Sequence, residues 1–333
     1  MPIMLTRGTI EKILSSTPQR IVGVLGDLFL DRYLDIDPTL TEPSIETGLD
    51  AYQVVRVRSY PGAAGTVINN LAALGAGEII PISMIGDDGE GHELRQALQR
   101  MPTVQMAAVV STSQRRTPTY TKPMLGPDRE LNRLDIKNRQ AMPAAVEAKI
   151  LDYLSDAWSS LDVLLVLDQV SEPQCGVVTE RVRDRLAELA GKDLSKPVIV
   201  DSRERIGLFR NVWLKPNERE CLRAAQSSDL REAMNQLVRR TGRPVICTQG
   251  AKGMLVLDSE ASAPIVVPGY EVKGPIDTVG AGDSSSAAMA CALASGTSLV
   301  EAAAFGNLVA SITIQQIGTT GVATPEQVRA AGR

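Results

Sequence analysis

The sequence predicts an α/β protein built on a parallel sheet covered by helices on both faces. Short apolar runs alternate with stretches of helical period along most of the chain, the pattern such a sheet requires. Three strand-to-loop junctions in the C-terminal half, Lys215 to Glu220, Thr248 to Gly253 and Asp277 to Asp283, fall at similar intervals. They fit the carboxyl edge of one sheet, where ligands bind in open α/β folds.

In chain order, strands are expected at Ile21 to Leu25, Ile79 to Ile85, Val163 to Leu167, Val198 to Asp201, Val212 to Leu214, Val245 to Thr248 and Met254 to Leu257. The first runs into Gly26, the fifth breaks at Pro216 before a helix begins, and the sixth runs into a glycine turn. Helices are expected at Thr66 to Leu74, Gly91 to Gln99, Ala144 to Ser155, Val177 to Leu189, Ser228 to Arg239, Ser284 to Ser295 and Leu299 to Ile317. Two segments leave this rhythm, Leu34 to Tyr60 and Val104 to Leu134, and within the first Tyr52 to Arg58 reads as an exposed strand. There are no internal repeats or low-complexity linkers.

A chain of 333 residues, 44% hydrophobic, can bury a sizeable core as one large domain with an appendage or as two domains. Its formal charge of -4 gives no reason to expect nucleic acid or an anionic membrane as partner. With 3% aromatic residues there is no obvious platform for stacking bases. No apolar run reaches membrane-spanning length and the N-terminus lacks signal-peptide character, so the cytoplasm is the expected compartment. Cys175, Cys221, Cys247 and Cys291 lack CxxC spacing and read as buried thiols. His92, the only histidine, reads as a surface residue in the first turn of its helix.

The chemistry concentrates at Asp277-Thr-Val-Gly-Ala-Gly-Asp283. Gly280, Ala281 and Gly282 let backbone N–H groups approach a ligand closely, and a helix starting there adds unsatisfied donors and the macrodipole, which favour anions. Asp283 beside such a cradle could take the proton of an attacking alcohol while the cradle holds a moving phosphoryl group. The bland alternative makes Asp283 a helix cap. For Asn217 and Glu220 the alternative is an N-cap with a first-turn acid, which would dominate if the motif stood alone.

Together these residues resemble the ribokinase-like (PfkB-type) carbohydrate kinases. Asp277 to Asp283 is similar to that family's Asp-Thr-x-Gly-Ala-Gly-Asp signature, Asn217 and Glu220 to its Asn-x-x-Glu motif, and Thr248, Gly250 and Gly253 to its nucleotide strand. Gly26 to Asp31, Pro61 to Gly65 and Gly86 to Leu94 resemble its sugar motif, glycine motif and following turn and helix. The resemblance runs from about Ile21 to Val328. Within the family the likeness is greatest to bacterial D-glycero-D-manno-heptose-7-phosphate kinases, through Asp27 to Tyr33, Thr117 to Lys122, Arg129 to Asp135 and the tail from Gly318 to Pro325.

The resemblance implies a ribokinase-like three-layer α/β/α core, with a mostly parallel central sheet, and a small β lid. The core would be 1–34, 61–103 and 135–333 and the lid 35–60 and 104–134, the lid joining a homodimer. It further implies ATP, Mg²⁺ and a sugar or sugar phosphate as ligands, with a monovalent cation such as K⁺ left open. Asp283 would be the base and Gly280, Ala281 and Gly282 the cradle. Asp31, Gly62, Ala63, Thr66 and Arg133 would bind the sugar, Asn217, Thr248, Gly250, Gly253 and Asn307 the nucleotide, and Glu220, with Asn217 through water, the metal. For Asn307 a partly buried polar helix residue is nearly as good a reading, and for Asp27 a turn role is about as good as a sugar contact. Gly318 would end the last long helix.

Two departures bear on specificity. Heptose-phosphate kinases usually show Gly-Gly-Ala-Ala-Asn where this chain has Gly62-Ala63-Ala64-Gly65-Thr66, so a glycine and an asparagine are replaced. They also carry a lysine after a central strand where Asp168 to Gly176 has none. The lid carries Arg115, Arg116, Lys122, Arg129 and Arg133 against Asp128 and Glu130. This excess suits either a phosphate already on the sugar or charge-protected strand edges. A sugar kinase of other specificity and a sugar-binding regulator on the same fold stay open. A nicotinamide-dependent dehydrogenase is disfavoured because Gly23-Val-Leu-Gly26 is not Gly-x-Gly-x-x-Gly.

Overall fold

In the computed structural model the described residues are 5–126, 129–259, 263–318 and 320–332, so Asp128 of the lid and Thr319 of the tail motif lie outside them. The strands are β1 (Ile21–Gly26), β2 (Leu28–Pro43), β3 (Asp50–Ala63), β4 (Glu78–Gly86), β5 (Val109–Thr112), β6 (Thr119–Leu125), β7 (Arg129–Glu130), β8 (Leu134–Ile136), β9 (Val163–Asp168), β10 (Val198–Ser202), β11 (Trp213–Leu214), β12 (Val245–Thr248), β13 (Met254–Leu257) and β14 (Ile265–Val267). The helices are α1 (Arg7–Ser16), α2 (Ala64–Ala73), α3 (Gly89–Gln99), α4 (Ala144–Ala157), α5 (Glu180–Lys192), α6 (Glu218–Ala225), α7 (Leu230–Thr241), α8 (Ala281–Ala294), α9 (Leu299–Thr313) and α10 (Pro325–Ala331).

Nine strands form the core sheet in the order β14-β13-β12-β11-β10-β9-β1-β4-β5. Neighbours run parallel from β12 to β5, and β13 and β14 are antiparallel additions at one edge. The pleat divides the apolar residues between two clusters. In β9, Val163, Leu165 and Leu167 face the cluster that includes α2, α8 and α9, whereas Leu164 and Val166 face the one that includes α4, α5 and α7. Because both faces are buried, the central strands are continuously apolar, and three α/β/α layers result.

Small residues let α8 and α9 lie close together. A Cβ at Gly306 of α9 would meet Met289 Cγ at 2.9 Å and the Ser285 carbonyl at 3.2 Å. Ser284 to Leu293 is buried along its whole length, so α8 is the core helix that carries the anion cradle at its start.

The second sheet has the order β3-β2-β6-β7, with β8 also paired to β6. Its main strands are longer than the sequence rhythm suggests, because β2 begins at Leu28 and β3 reaches Ala63, pairing Leu28 with Ala63 right beside the core. Part of the expected lid belongs elsewhere: Val109–Thr112 pairs in parallel with β4 at the edge of the core sheet, and only β6 to β8 of the 104–134 region and its border join the second sheet.

Several boundaries shift for local reasons. Helix α8 starts at Ala281 rather than Ser284, since Gly280 caps it with φ 81°, and Asp283 is thereby its third residue. Helix α5 starts at Glu180 rather than Val177 because the Thr179 hydroxyl accepts from Val182 N–H at 3.2 Å. Helix α9 ends at Thr313, so Gly318 is not its terminator; its N–H donates to the Asp277 carboxylate at 3.2 Å. The helices α1 and α10 and the strand β14 had no counterpart among the expected elements. The four cysteines are buried free thiols, and His92 is exposed on α3 within 3.0 Å of Gln96.

Candidate active site

Asp201, near the end of β10, and Lys215, just after β11, lie close to Asp283 at the start of α8, and β1 leads into Asp27 and Asp31. Strand β1 ends at Gly26, where a Cβ would lie 2.3 Å from the Leu167 carbonyl oxygen. Asp27 follows, and its buried carboxylate accepts from Val177, Gln169 and Val170 N–H at 2.7, 3.1 and 3.2 Å. Burial nevertheless pushes its pKa up to about 6. Asp27 pins the loop after β9, and it also lines the cavity described below.

Asp31 lies on β2 opposite Tyr60. Burial raises its pKa, while Lys122, Arg133 and Arg203 pull the other way. Gly62 lies beside it, and a Cβ there would sit 2.4 Å from Asp31 Oδ2, so any side chain at that position would move the carboxylate. Ala63 follows with φ 53° and ψ -118°, caps α2, and is succeeded by buried Ala64, Gly65 and Thr66. A side chain at Gly280 would reach Thr320 at 3.5 Å and Thr66 Cγ2 at 3.7 Å, so the glycine loop and the cradle are neighbours.

At the cradle, Ala281 N–H is bonded to the Thr278 carbonyl at 3.2 Å, whereas the N–H groups of Gly280, Gly282 and Asp283 find no acceptor among the described residues. Asp277 holds the loop from behind, accepting from Val279 N–H at 3.0 Å as well as from Gly318. Burial pushes the Asp283 pKa up to about 7; Asp201 adds to this, Lys215 and Arg203 oppose it, and Asp31 raises it further. Asp31 and Asp283 therefore face one electrostatic space, reached from opposite ends of the sequence.

Sequence reasoning passed over the pair that underlies this space. Lys215 is buried and donates to Asp201 Oδ2 at 2.9 Å. Burial disfavours its charge, but Asp201, with Asp283 and Glu220 nearby, holds its pKa above the ordinary range. The available signal was polarity in the wrong place, since Asp201 follows the apolar run Val198 to Val200 and Lys215 follows another.

Asn217 and Glu220 form a reciprocal capping box on α6: the Asn217 side chain accepts from Glu220 N–H and Glu220 Oε2 from Asn217 N–H, both at 2.9 Å. The cap reading is thus realised, while Glu220 Oε1 has no partner among the described residues. Burial raises the Glu220 pKa and Asp201 adds to it, against Asn217 N–H and Lys215. Thr248 N–H donates to the Pro216 carbonyl at 2.9 Å, which sets Thr248 beside Asn217. Gly250 and Gly253 have φ 58° and 94°, and a Cβ at Gly253 would meet the Val267 carbonyl oxygen at 2.2 Å. Asn307 donates to the carbonyls of Val267 and Pro268 at 3.1 Å each. Gly253 and Asn307 therefore both fix the chain leaving β14, and the amide donors of Asn307 are spent there.

Arg133 sits against the lid, bidentate to Asp135 at 2.7 and 2.9 Å and stacked 4.4 Å from the Tyr120 ring centroid. It lines a cavity of about 220 Å³ beside the start of β2, with Arg115, Lys137 and Arg203 as further cations, Asp27 and Glu172 as acids, and Phe29 and Met142 as apolar wall. Among the described residues no three His, Cys, Asp or Glu side chains converge to hold a metal directly. Mg²⁺ suits the free Glu220 oxygen only through its own water shell, the mode in which that ion keeps most of its waters.

Residues 29–327 match the family model described as pfkB family carbohydrate kinase. Two curated relatives, each named bifunctional protein HldE, are 30% identical. The one from Pelobacter propionicus aligns over 97% of this chain and 66% of its own length, and the one from Azorhizobium caulinodans over 96% and 66%. The chain thus spans just under two thirds of those relatives. Among solved structures, Arabidopsis thaliana ribokinase complexed with ribose and ATP has a TM-score of 0.68 at 18% identity, covering 94% of this chain and 98% of that one. Escherichia coli phosphofructokinase-2 in complex with fructose-6-phosphate has a TM-score of 0.68 at 19% identity, with the same coverage of 94% and 98%. At those identities the two structures establish the fold.

Proposed function

The chain belongs to the pfkB family of carbohydrate kinases, and from that premise we propose that it transfers the terminal phosphoryl group of ATP, with Mg²⁺, to a hydroxyl of a phosphorylated sugar. The observation that carries the reading is the pairing of Asp283, its pKa near neutrality, with unbonded N–H groups in the first turn of α8 and with Asp31 across the same space.

Asp31 accepts hydrogen bonds from the sugar and fixes the attacking hydroxyl. Asp283 takes its proton as the oxygen attacks the phosphorus in line, and the N–H groups of Gly280, Gly282 and Asp283 hold the charge that spreads over the phosphoryl oxygens. Glu220 and Asn217 would hold Mg²⁺ through its waters, and the ion would supply neutralisation of phosphate charge. Thr248 and Gly250 border the nucleotide, while Gly253 and Asn307 shape its wall by fixing the Val267–Pro268 segment.

Arg133, Lys137 and Arg203 around the cavity support an acceptor that arrives with a phosphate, since guanidinium groups suit such oxygens. The resemblance names heptose 7-phosphate, attacked at its anomeric hydroxyl. Glu172 in the same wall, with no lysine in that loop, favours a different phosphosugar as the second reading.

The test is ATP consumption with Mg²⁺ across free and phosphorylated hexoses and heptoses, with Asp283→Asn in parallel and K⁺ replaced by choline in one arm. Turnover on a sugar phosphate, reduced on the order of 10³-fold in the variant, is the expected result. Turnover confined to unphosphorylated sugars removes the phosphosugar reading, and equal turnover in the variant removes Asp283 from the mechanism.

A further inference from the structure

The parallel ladder between β9 and β10 fixes the direction in which Arg203 leaves the sheet. Asp201 pairs with Leu167 and Ser202 with Asp168, and Arg203 N–H donates to the Asp168 carbonyl at 3.2 Å, so the pleat runs one residue past the end of β10. Side chains alternate across such a strand. Val198 and Val200 face the cluster that includes α4, α5 and α7, whereas Ile199 faces the one that includes α2, α8 and α9. Asp201 and then Arg203 follow Ile199 on the α8 side, toward the carboxyl edge of the sheet. Ser202 between them turns away, its hydroxyl buried against Asp168 Oδ2 at 2.6 Å. The Arg203 carbonyl accepts from the Arg223 guanidinium of α6, so the backbone is held from that side as well.

The charged groups beneath Arg203 are already paired. Arg205 is bidentate to Asp168 at 2.6 and 3.1 Å, and Lys215 donates to Asp201 at 2.9 Å. The Arg203 guanidinium is exposed and has no hydrogen-bond or ion-pair partner among the described residues. It borders the cavity that Arg133 and Lys137 also line, and its charge is felt by Asp31 and Tyr120 on that side and by Asp283 at the start of α8. It therefore stands between the acceptor cavity and the anion cradle. Asp31, Asp201, Glu220 and Asp283 make this space acidic, and Lys215 is engaged, so Arg203 offers an arriving triphosphate a cation that no carboxylate holds.

We infer that Arg203 is a catalytic residue, whose free guanidinium contacts the phosphoryl group in transit between nucleotide and acceptor. This rests on the kinase reading above and deepens it. As the acceptor oxygen bonds to phosphorus and its proton passes to Asp283, the bond from phosphorus to the bridging oxygen of the leaving ADP breaks. Negative charge then spreads over the equatorial oxygens and gathers on the leaving one. A guanidinium is planar, permanently charged and carries paired donors that match two such oxygens. Being unpaired beforehand, it gives up no bond to meet them, and its position on a backbone held at both ends limits the reorganisation required.

The experiment compares the native enzyme with Arg203→Gln and Arg203→Ala on free and phosphorylated sugars, with ATP and Mg²⁺. Alongside turnover it reads the Kd of ADP and the Kd of ADP with aluminium fluoride, a mimic of the phosphoryl group in transit. Arg203→Gln is expected to lower kcat on the order of 10³-fold on free and phosphorylated sugars alike, with KM for sugar and ATP kept within about threefold. It should weaken ADP with aluminium fluoride on the order of 100-fold relative to ADP alone, at an unchanged melting temperature. Guanidinium ion at millimolar concentration should restore part of kcat to Arg203→Ala and not raise that of the native enzyme, an effect that a structural role would not give. A rise in KM confined to phosphorylated sugars, with kcat kept, would make Arg203 a ligand of the acceptor's own phosphate and overturn the inference. A ratio of the two Kd values that is equal in native and Arg203→Gln protein would overturn it as well. Absence of turnover on every sugar would count against the kinase reading alone, because that ratio would still decide whether Arg203 meets a phosphoryl group.

Discussion

Asp283 carries its proton at a pH where an ordinary aspartate would have lost it, because burial and Asp201 both penalise the charge. A base works only when ionised, so kcat/KM should climb with pH and level off above about 7. Asp201→Asn removes the like charge and should move that midpoint to lower pH; a midpoint unmoved in this variant would remove Asp201 as a cause. The stability linkage has the opposite slope. Asp283 and Asp27, with pKa values of about 7 and about 6 against 3.8 in a free chain, bind protons more tightly when folded. Their contribution is fully present at low pH and is lost as pH rises through those values.

Gly62 offers a sharper test of the sugar side. Gly62→Ala should displace the Asp31 carboxylate and raise the sugar KM well over 10-fold with ATP affinity kept, and an unchanged KM would separate Asp31 from sugar binding. At this scale Asp31 and Asp283 were legible because their motifs are short and local. Asp27 was open to two readings, and its framework role became visible only through the three N–H groups converging from residues 169–177, remote in sequence.

At the level of helices and strands, α6 shows how one pair of side chains meets two demands. The Asn217–Glu220 box satisfies end donors that any helix must satisfy, and the same residues face Asp201 and Lys215 across the site. Asn217→Ala should cost about 1 kcal/mol of stability through the lost cap. Asn217→Asp caps equally well, so a fall in turnover with melting temperature retained would mark a role beyond capping, whereas full activity in that variant would reduce Asn217 to a cap. Strands buried on both faces were legible from unbroken apolar runs. The long strands β2 and β3 were not, because much of their length is exposed and charged and their beginnings merge with the core. The edge strand β5 was absorbed into the lid because it is only four residues long, too short to stand out as a strand of the core.

For the whole molecule, the second sheet is the unfinished surface. Tyr52, Val54, Val55 and Val57 are exposed together on β3, an apolar stretch that an isolated two-sided lid would not keep in water. We propose a homodimer joined through this sheet. Val57→Asp should give monomers by sedimentation at micromolar concentration, and a monomeric native enzyme would refute the dimer. The α/β class was legible throughout because alternation is a global signal, while the coupling of Lys215 to Asp201 depends on strands adjacent in space and distant in sequence.

The order of strands in the core sheet also bears on when the chain can complete its interior during synthesis. Strand β1 is paired on its two sides by β4 and β9, so the middle of the sheet has all its strands once Asp168 has been made. Asp283 and its cradle emerge only after every strand of that sheet has been made. The helix that carries them also packs on α2 and β9 as part of the core, so a product that stops short of α8 loses one wall of its interior together with the cradle and is a misfolding hazard rather than half an enzyme.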